Sequence, residues 1–305
     1  MKKSLLTTVV FGCLFVLTGL FLSAPALAAW VDKGSVEGIW SCWYWDWMDD
    51  EYPSLFDAGD AMQRFDRLVS DSTYTSDAQG WEYDNHGPPQ NPDSWWGHCH
   101  AWSGAAVWER QPPRYKVVRN GTTGVQVKFR VRDRKGLMCE AYDEDAYASV
   151  ADFMISQPDP GLMWSWLRAE IKGIAPMWGK KRGFVGELYY GDEVWNYPIY
   201  KYKVVYDWDS DYGYYGTMTI WGASDGRPEY ANSTDLYSMK LTYQFWGVQV
   251  DENGWPINGE WVGTGPQSRP DSIWRPQYPT TWETYLGNPW LYNDALNVIL
   301  FNKQK

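Results

Sequence analysis

Histidine is nearly missing from this sequence: only His86, His98 and His100 occur in 305 residues. A general base therefore has few seats. No HExxH or CxxC pattern occurs, which excludes the common zinc frameworks. Cysteine is almost as sparse, with Cys13, Cys42, Cys99 and Cys139. Basic residues are outnumbered, 27 Lys and Arg against 38 Asp and Glu, for a net charge of −11. That deficit argues against nucleic acid, whose phosphates require clustered Lys and Arg. Gly-rich phosphate loops, internal repeats and low-complexity tracts are lacking too, and beyond residue 28 no apolar run reaches membrane length.

The N-terminus does have such a run. Lys2 and Lys3, the apolar stretch Leu5 to Leu22, and Ala26-Leu27-Ala28 read as a secretory signal with its cleavage site. An uncleaved anchor is the competing reading. Cleavage divides the chain into a signal peptide, 1–28, and a single domain, 29–305. It also predicts a secreted or periplasmic protein with no membrane contact once processed. Cys42, Cys99 and Cys139 then remain, an odd number for an oxidising compartment, so at most one internal disulfide can form. A Cys42–Cys139 pair leaves Cys99 reactive; three buried thiols acting as small hydrophobes is the alternative.

Aromatic residues are what the chain has in excess, with 22 Trp and 22 Tyr. They suit either an aromatic core and sheet surface or a platform for glycan. A helix over 58–70 is predicted from Met62, Phe65 and Leu68 at three-residue spacing. After the stiff segment 87–93, a second helix is expected within 93–108, which places Cys99 in or just before its first turn. Alternating apolar positions predict strands over 125–131, 183–190, 199–206, 217–221 and 239–250. Asn253-Gly254 marks a tight turn with Trp261-Val262 on the return, and a helix over 162–173 interrupts the series. The fold class is α+β, a Cys-bearing helix packed on a twisted antiparallel sheet.

A cysteine at a helix N-terminus is disposed to ionise, because the helix dipole stabilises the thiolate. It needs a base, a group to orient that base, and donors for an oxyanion. Gln90 or Asn91 is a candidate donor beside the Cys99 amide. His98 and His100 flank Cys99, and adjacent side chains diverge, so His86 from the preceding loop is the candidate base. His98, Cys99 and His100 are too close together to share one zinc easily, so no metal and no cofactor are expected. Asp207-Trp208-Asp209-Ser210-Asp211 opens like a calcium loop but continues with Tyr212 where glycine is required and Met218 where glutamate is. It reads as a solvated acidic turn.

Ser94-Trp95-Trp96-Gly97-His98-Cys99 resembles the signature block of the transglutaminase elicitor family, secreted cysteine transglutaminases of oomycete plant pathogens with relatives in marine bacteria. Trp81 to His86, Glu193 to Pro198, and Asn258 to Gly263 with Arg269-Pro270-Asp271 and Trp274 are similar to further blocks of that family, in the same order. The resemblance implies a papain-like core and acyl transfer from a protein glutamine through a Cys99 thioester to a lysine amine. Asn196 is implied to orient a base, and Glu187 stands where an orienting Asp is expected. Trp96 and Trp164 are the aromatic candidates for substrate contact. One departure is prominent: on the stretch 159–167, Trp164 takes the place of the family's histidine, and tryptophan cannot accept a proton.

Two functions follow. One is a transglutaminase-like acyltransferase, or a related cysteine hydrolase, with a relocated base. Its partners are a protein glutamine donor and a lysine amine acceptor. The other is an inactive relative that binds protein or glycan through its aromatic surface.

Overall fold

In a computed structural model, the structure describes residues 29–46, 53–90, 97–143, 151–174, 181–226, 238–276 and 288–301. The expected signal peptide, Asn91 and Trp96 lie outside them.

The two-residue rhythm of the C-terminal half becomes a meander of three long strands, β6 (Asn196–Asp209), β7 (Gly213–Ala223) and β8 (Ser238–Val250). In β8 every second residue from Leu241 to Phe245 is buried while its neighbours face water, as a half-buried strand requires. The acidic stretch 207–211 lies at the β6–β7 hairpin tip, where Asp209 Oδ1 accepts from the Asp211 and Tyr212 amides at 2.8 and 3.2 Å. Shorter strands complete the sheet: β1 (Trp30–Ser35), β4 (Ala151–Ser156), β5 (Phe184–Glu187), β9 (Pro256–Ile257), β10 (Glu260–Val262) and β11 (Ser272–Pro276). The order is β10-β8-β7-β6-β5-β11-β4, with β1 paired to the far half of β6 and β9 to β8. These ladders are antiparallel. A separate hairpin joins β2 (Lys116–Arg119) to β3 (Gln126–Phe129).

All four residues of β5 are buried, which means that both faces of the sheet are covered there. Glu187 lies in register with Asn196 of β6 and Ser272 of β11. Phe184, three positions earlier, points to the opposite face. There it meets Trp166 of α5 (Pro160–Glu170) edge to face, 6.2 Å between centroids. The Asn196 face is covered by α3 (Cys99–Trp108), which is held by Ser103 Oγ donating to the Asn196 carbonyl at 2.8 Å and Trp108 Nε1 to that of Pro276 at 2.7 Å. The fold is α+β, with the Cys-bearing helix on an antiparallel sheet, as the sequence indicated.

Behind α3 stands a helical layer of α1 (Ala61–Val69), α2 (Ala78–His86) and α4 (Val131–Glu140), with α6 (Asn293–Phe301) against α4. Met62, Phe65 and Leu68 form the buried stripe of α1, as their spacing predicted. Trp40, Trp102, Trp166 and Trp274 are fully buried, and truncating any one costs about 3–5 kcal/mol. Part of the aromatic excess is therefore core, while Trp30, Trp208, Tyr212 and Trp246 are among those exposed. Cys42 and Cys139 adjoin within hydrogen-bond range, but as buried free thiols rather than a disulfide. Among the described residues no helix is long and apolar enough to cross a membrane.

Candidate active site

Gly97 sets the entry to α3. A Cβ there would meet the Tyr44 carbonyl oxygen at 2.4 Å, so only glycine lets the 44–46 segment lie this close. The His98 amide then donates to that carbonyl at 2.6 Å. His98 is the N-cap of α3 but makes no side-chain cap; its imidazole turns inward instead. The N-cap side chain thus gives the first-turn amides no acceptor, and Cys99 is the first helical residue, half-buried and reachable from solvent.

Two strands supply the rest. Cys99 Sγ lies 3.8 Å from the Val194 carbonyl and 3.8 Å from Asn196 Nδ2, which donates to it. Asn196 cannot turn freely, because its Oδ1 accepts from buried Trp274 Nε1 at 2.8 Å. Glu187 continues the same row, accepting from the Trp195 amide at 3.3 Å and from Ser272 Oγ at 3.4 Å. Burial, and then the Asp271 carboxylate, push its carboxyl up to about 7.

His100 also reaches the sulfur. Its Nε2 lies 2.7 Å from Asp143 Oδ1, and its side chain is hydrogen-bonded to that of Cys99. Burial works against a charge on His100, but Asp143 and Cys99 outweigh it and raise its pKa to about 9. With Nε2 directed at Asp143, Nδ1 is the nitrogen left to exchange a proton with the thiol. Asp143, held well below the usual carboxylate range by His98 and His100 despite burial, also meets His98 Nδ1 through Oδ2.

The sequence-derived candidates thus divide. Cys99, Asn196 and Glu187 come together. His86 does not join them in the expected way: it ends α2 with Nδ1 3.0 Å from Glu82 Oε1 and its ring against His98. Gln90 occupies an exposed turn after α2. Trp164 is elsewhere altogether. Its Nε1 donates to Asp32 Oδ2 at 2.9 Å, and its ring packs on Tyr206 at 4.6 Å, ten positions along β6 from Asn196. A tryptophan at 164 therefore takes no base away from Cys99. His100 and Asp143 were missed because neighbouring side chains diverge on an ideal helix, whereas at this first turn a carboxylate draws His100 back beside the thiol. The closeness of three histidines within 86–100 was the one available signal.

Residues 90–153, which contain the Cys99 turn, His100 and Asp143, match the model of the Transglutaminase elicitor family. The family resemblance read from the sequence is thus matched over this cysteine-bearing segment. Over a longer span the chain is similar to the crystal structure of the GP42 transglutaminase from Phytophthora sojae, with a TM-score of 0.58 and 18% identity, covering 80% of this chain and 83% of that one. That likeness extends to the sheet, so the shared fold reaches well beyond the family segment. No curated protein matches.

Proposed function

We propose that this protein is a transglutaminase-like cysteine acyltransferase. The observation that carries the proposal is the seating of Cys99 Sγ at a helix N-terminus that its N-cap side chain leaves uncapped, beside Asn196 Nδ2 and the His100–Asp143 pair. His100 takes the thiol proton, and the thiolate attacks the side-chain carboxamide of a protein glutamine. The oxyanion that forms is stabilised by the first-turn amides of α3 and by Asn196 Nδ2. Collapse breaks the C–N bond and releases ammonia as His100 returns its proton to the leaving nitrogen. The thioester is then resolved by a lysine amine, which gives an isopeptide bond and restores the thiol. When no amine enters, water resolves the thioester and leaves glutamate, a deamidation. Export is part of the same proposal, since the N-terminal sequence has the parts of a secretory signal and the substrates would be proteins outside the cell.

Incorporation of a fluorescent primary amine into a glutamine-bearing protein tests this reading. The wild-type chain is expected to label the acceptor protein and Cys99→Ala to leave it unlabelled. Labelling that persists in Cys99→Ala removes the proposal. No labelling and no ammonia release by wild type favours the alternative, a binding protein with an aromatic surface.

A further inference from the structure

Apart from the Cys99 site, a cluster of buried titratable side chains gathers where the termini of three helices meet. Glu82 and His86, four apart on one face of α2, meet His98 at the N-cap of α3 and Glu140 at the last position of α4. One donor atom from each lies within 4.8 Å of the other three. Glu82 Oε1 is 3.0 Å from His86 Nδ1 and 2.9 Å from His98 Nε2, and the two imidazole rings stand edge to face at 4.8 Å. Glu82, His98 and Glu140 are buried, while His86 is one-fifth exposed at its side chain and opens the cluster to solvent.

Hydrogen bonds alone do not account for this arrangement. Glu140 Oε2 and Glu82 Oε2 are buried without a hydrogen-bond partner, and Glu140 Oε1 has only an ion-pair contact, 3.4 Å from His98 Nδ1. Leaving such atoms unmatched is costly. His98 has the second feature of a metal ligand. Its Nδ1 is held by Asp143 while its Nε2 points into the cluster, the carboxylate–histidine pairing that fixes a ligand's tautomer and orientation.

We propose that Glu82, His86, His98 and Glu140 form a binding site for one divalent transition-metal ion of the zinc class. Two imidazoles and two carboxylates suit zinc and its neighbours, whereas calcium takes a shell of six to eight oxygens. Four ligands at about 2.0–2.1 Å from the ion stand roughly 3.3 Å apart, so small side-chain adjustments close the present spacing. The ion would pin the ends of α2, α3 and α4 together. It would also fix Asp143, whose other oxygen holds His100 beside Cys99, so this is a positioning site with no part in bond making.

The test is Co²⁺ binding to the chelator-stripped mature chain without a polyhistidine tag, followed by visible absorption and competition. One equivalent of Co²⁺ with four-coordinate d–d bands is expected, displaced by Zn²⁺ but not by excess Ca²⁺. His86→Ala, at the most exposed ligand, should weaken binding by about tenfold or more, and Glu140→Gln likewise. Failure to retain Co²⁺ or Zn²⁺ through gel filtration overturns the proposal, as does equal affinity in both variants or displacement by Ca²⁺. Should the variants not fold, X-ray absorption on the Zn²⁺-loaded wild type decides: two imidazoles in the shell uphold the site, and fewer defeat it. Because the readout is binding, it stands apart from the fate of the acyltransferase reading.

Discussion

Asn196 holds the Cys99 sulfur with one end of its amide and Trp274 with the other, the first at 3.8 Å and the second at 2.8 Å. A side chain fixed at both ends in this way is pre-organised, and what it stabilises depends on where charge appears. Asn196→Ala is expected to lower the rate of amine incorporation by about 10²–10³-fold, the cost of losing one oxyanion donor. Trp274→Phe leaves the donor present but loose, and should lower kcat more than it changes KM. Steady-state kinetics on both variants gives the comparison; a change confined to KM would assign Asn196 to substrate binding only.

Thiol accessibility separates the three cysteines. Cys42 and Cys139 are fully buried, and burial pushes the Cys139 thiol well up; Cys99 is within reach of solvent. Brief iodoacetamide treatment of the native chain at neutral pH, followed by peptide mass spectrometry, should modify Cys99 alone. The other two should react only after unfolding. Modification of Cys42 or Cys139 in the native chain would contradict the packing described.

His100→Ala should reduce amine incorporation by about 10²–10⁴-fold, the usual contribution of a general base, and slow iodoacetamide attack at Cys99. Trp164→Phe provides the contrast. It removes the hydrogen bond to Asp32, a loss of about 1–2 kcal/mol to a charged acceptor, seen as a lower Tm. Below that Tm its rate should match wild type. Loss of activity in folded Trp164→Phe would return residue 164 to the site.

Glu187 gives a pH dependence of stability. Its carboxyl titrates near 7 in the folded chain against an ordinary value of 4.5. Between those values the folded state keeps a proton that the unfolded state has released, so stability falls as pH rises through the window. Thermal melts between pH 5 and pH 8 should decline more steeply for wild type than for Glu187→Gln. Parallel curves would show that the carboxyl is ionised throughout.

The sheet was legible because its strands bury one face, so apolar and polar residues alternate from Met239 to Phe245 as the pleat does. α4 was not. Half of its sequence, Val131 to Glu140, is charged, yet Asp133, Arg134, Lys135 and Glu140 are all buried. Lys135 donates to the Ser41 carbonyl at 3.0 Å, and Arg134 to those of Arg114 and Leu300 at 2.7 and 2.6 Å. Charges with partners on distant segments hide the periodicity that a reader looks for. α2 escaped for a related reason, since its buried positions are only Ala78 and Glu82. At the site, Cys99 was legible from the cysteine count and the helix start, whereas Asn196 and Glu187 were found through family likeness, which records position without contact. The same likeness assigned Trp164 a place near Cys99 that α5, on the opposite face of the sheet, does not occupy.

The clamp on α3 has a bearing on how the chain acquires its structure. Asn196 is 97 positions from the cysteine it holds, and Pro276, which accepts from Trp108 at the other end of the helix, is 168 positions from its donor. Closing such large loops is slow, and β11 is among the last elements to emerge as the chain is made. Until it docks, Trp274 cannot hold Asn196, and the Cys99 thiol lacks its fixed donor from the sheet. The nucleophile therefore matures late, after most of the chain that precedes it has had time to fold.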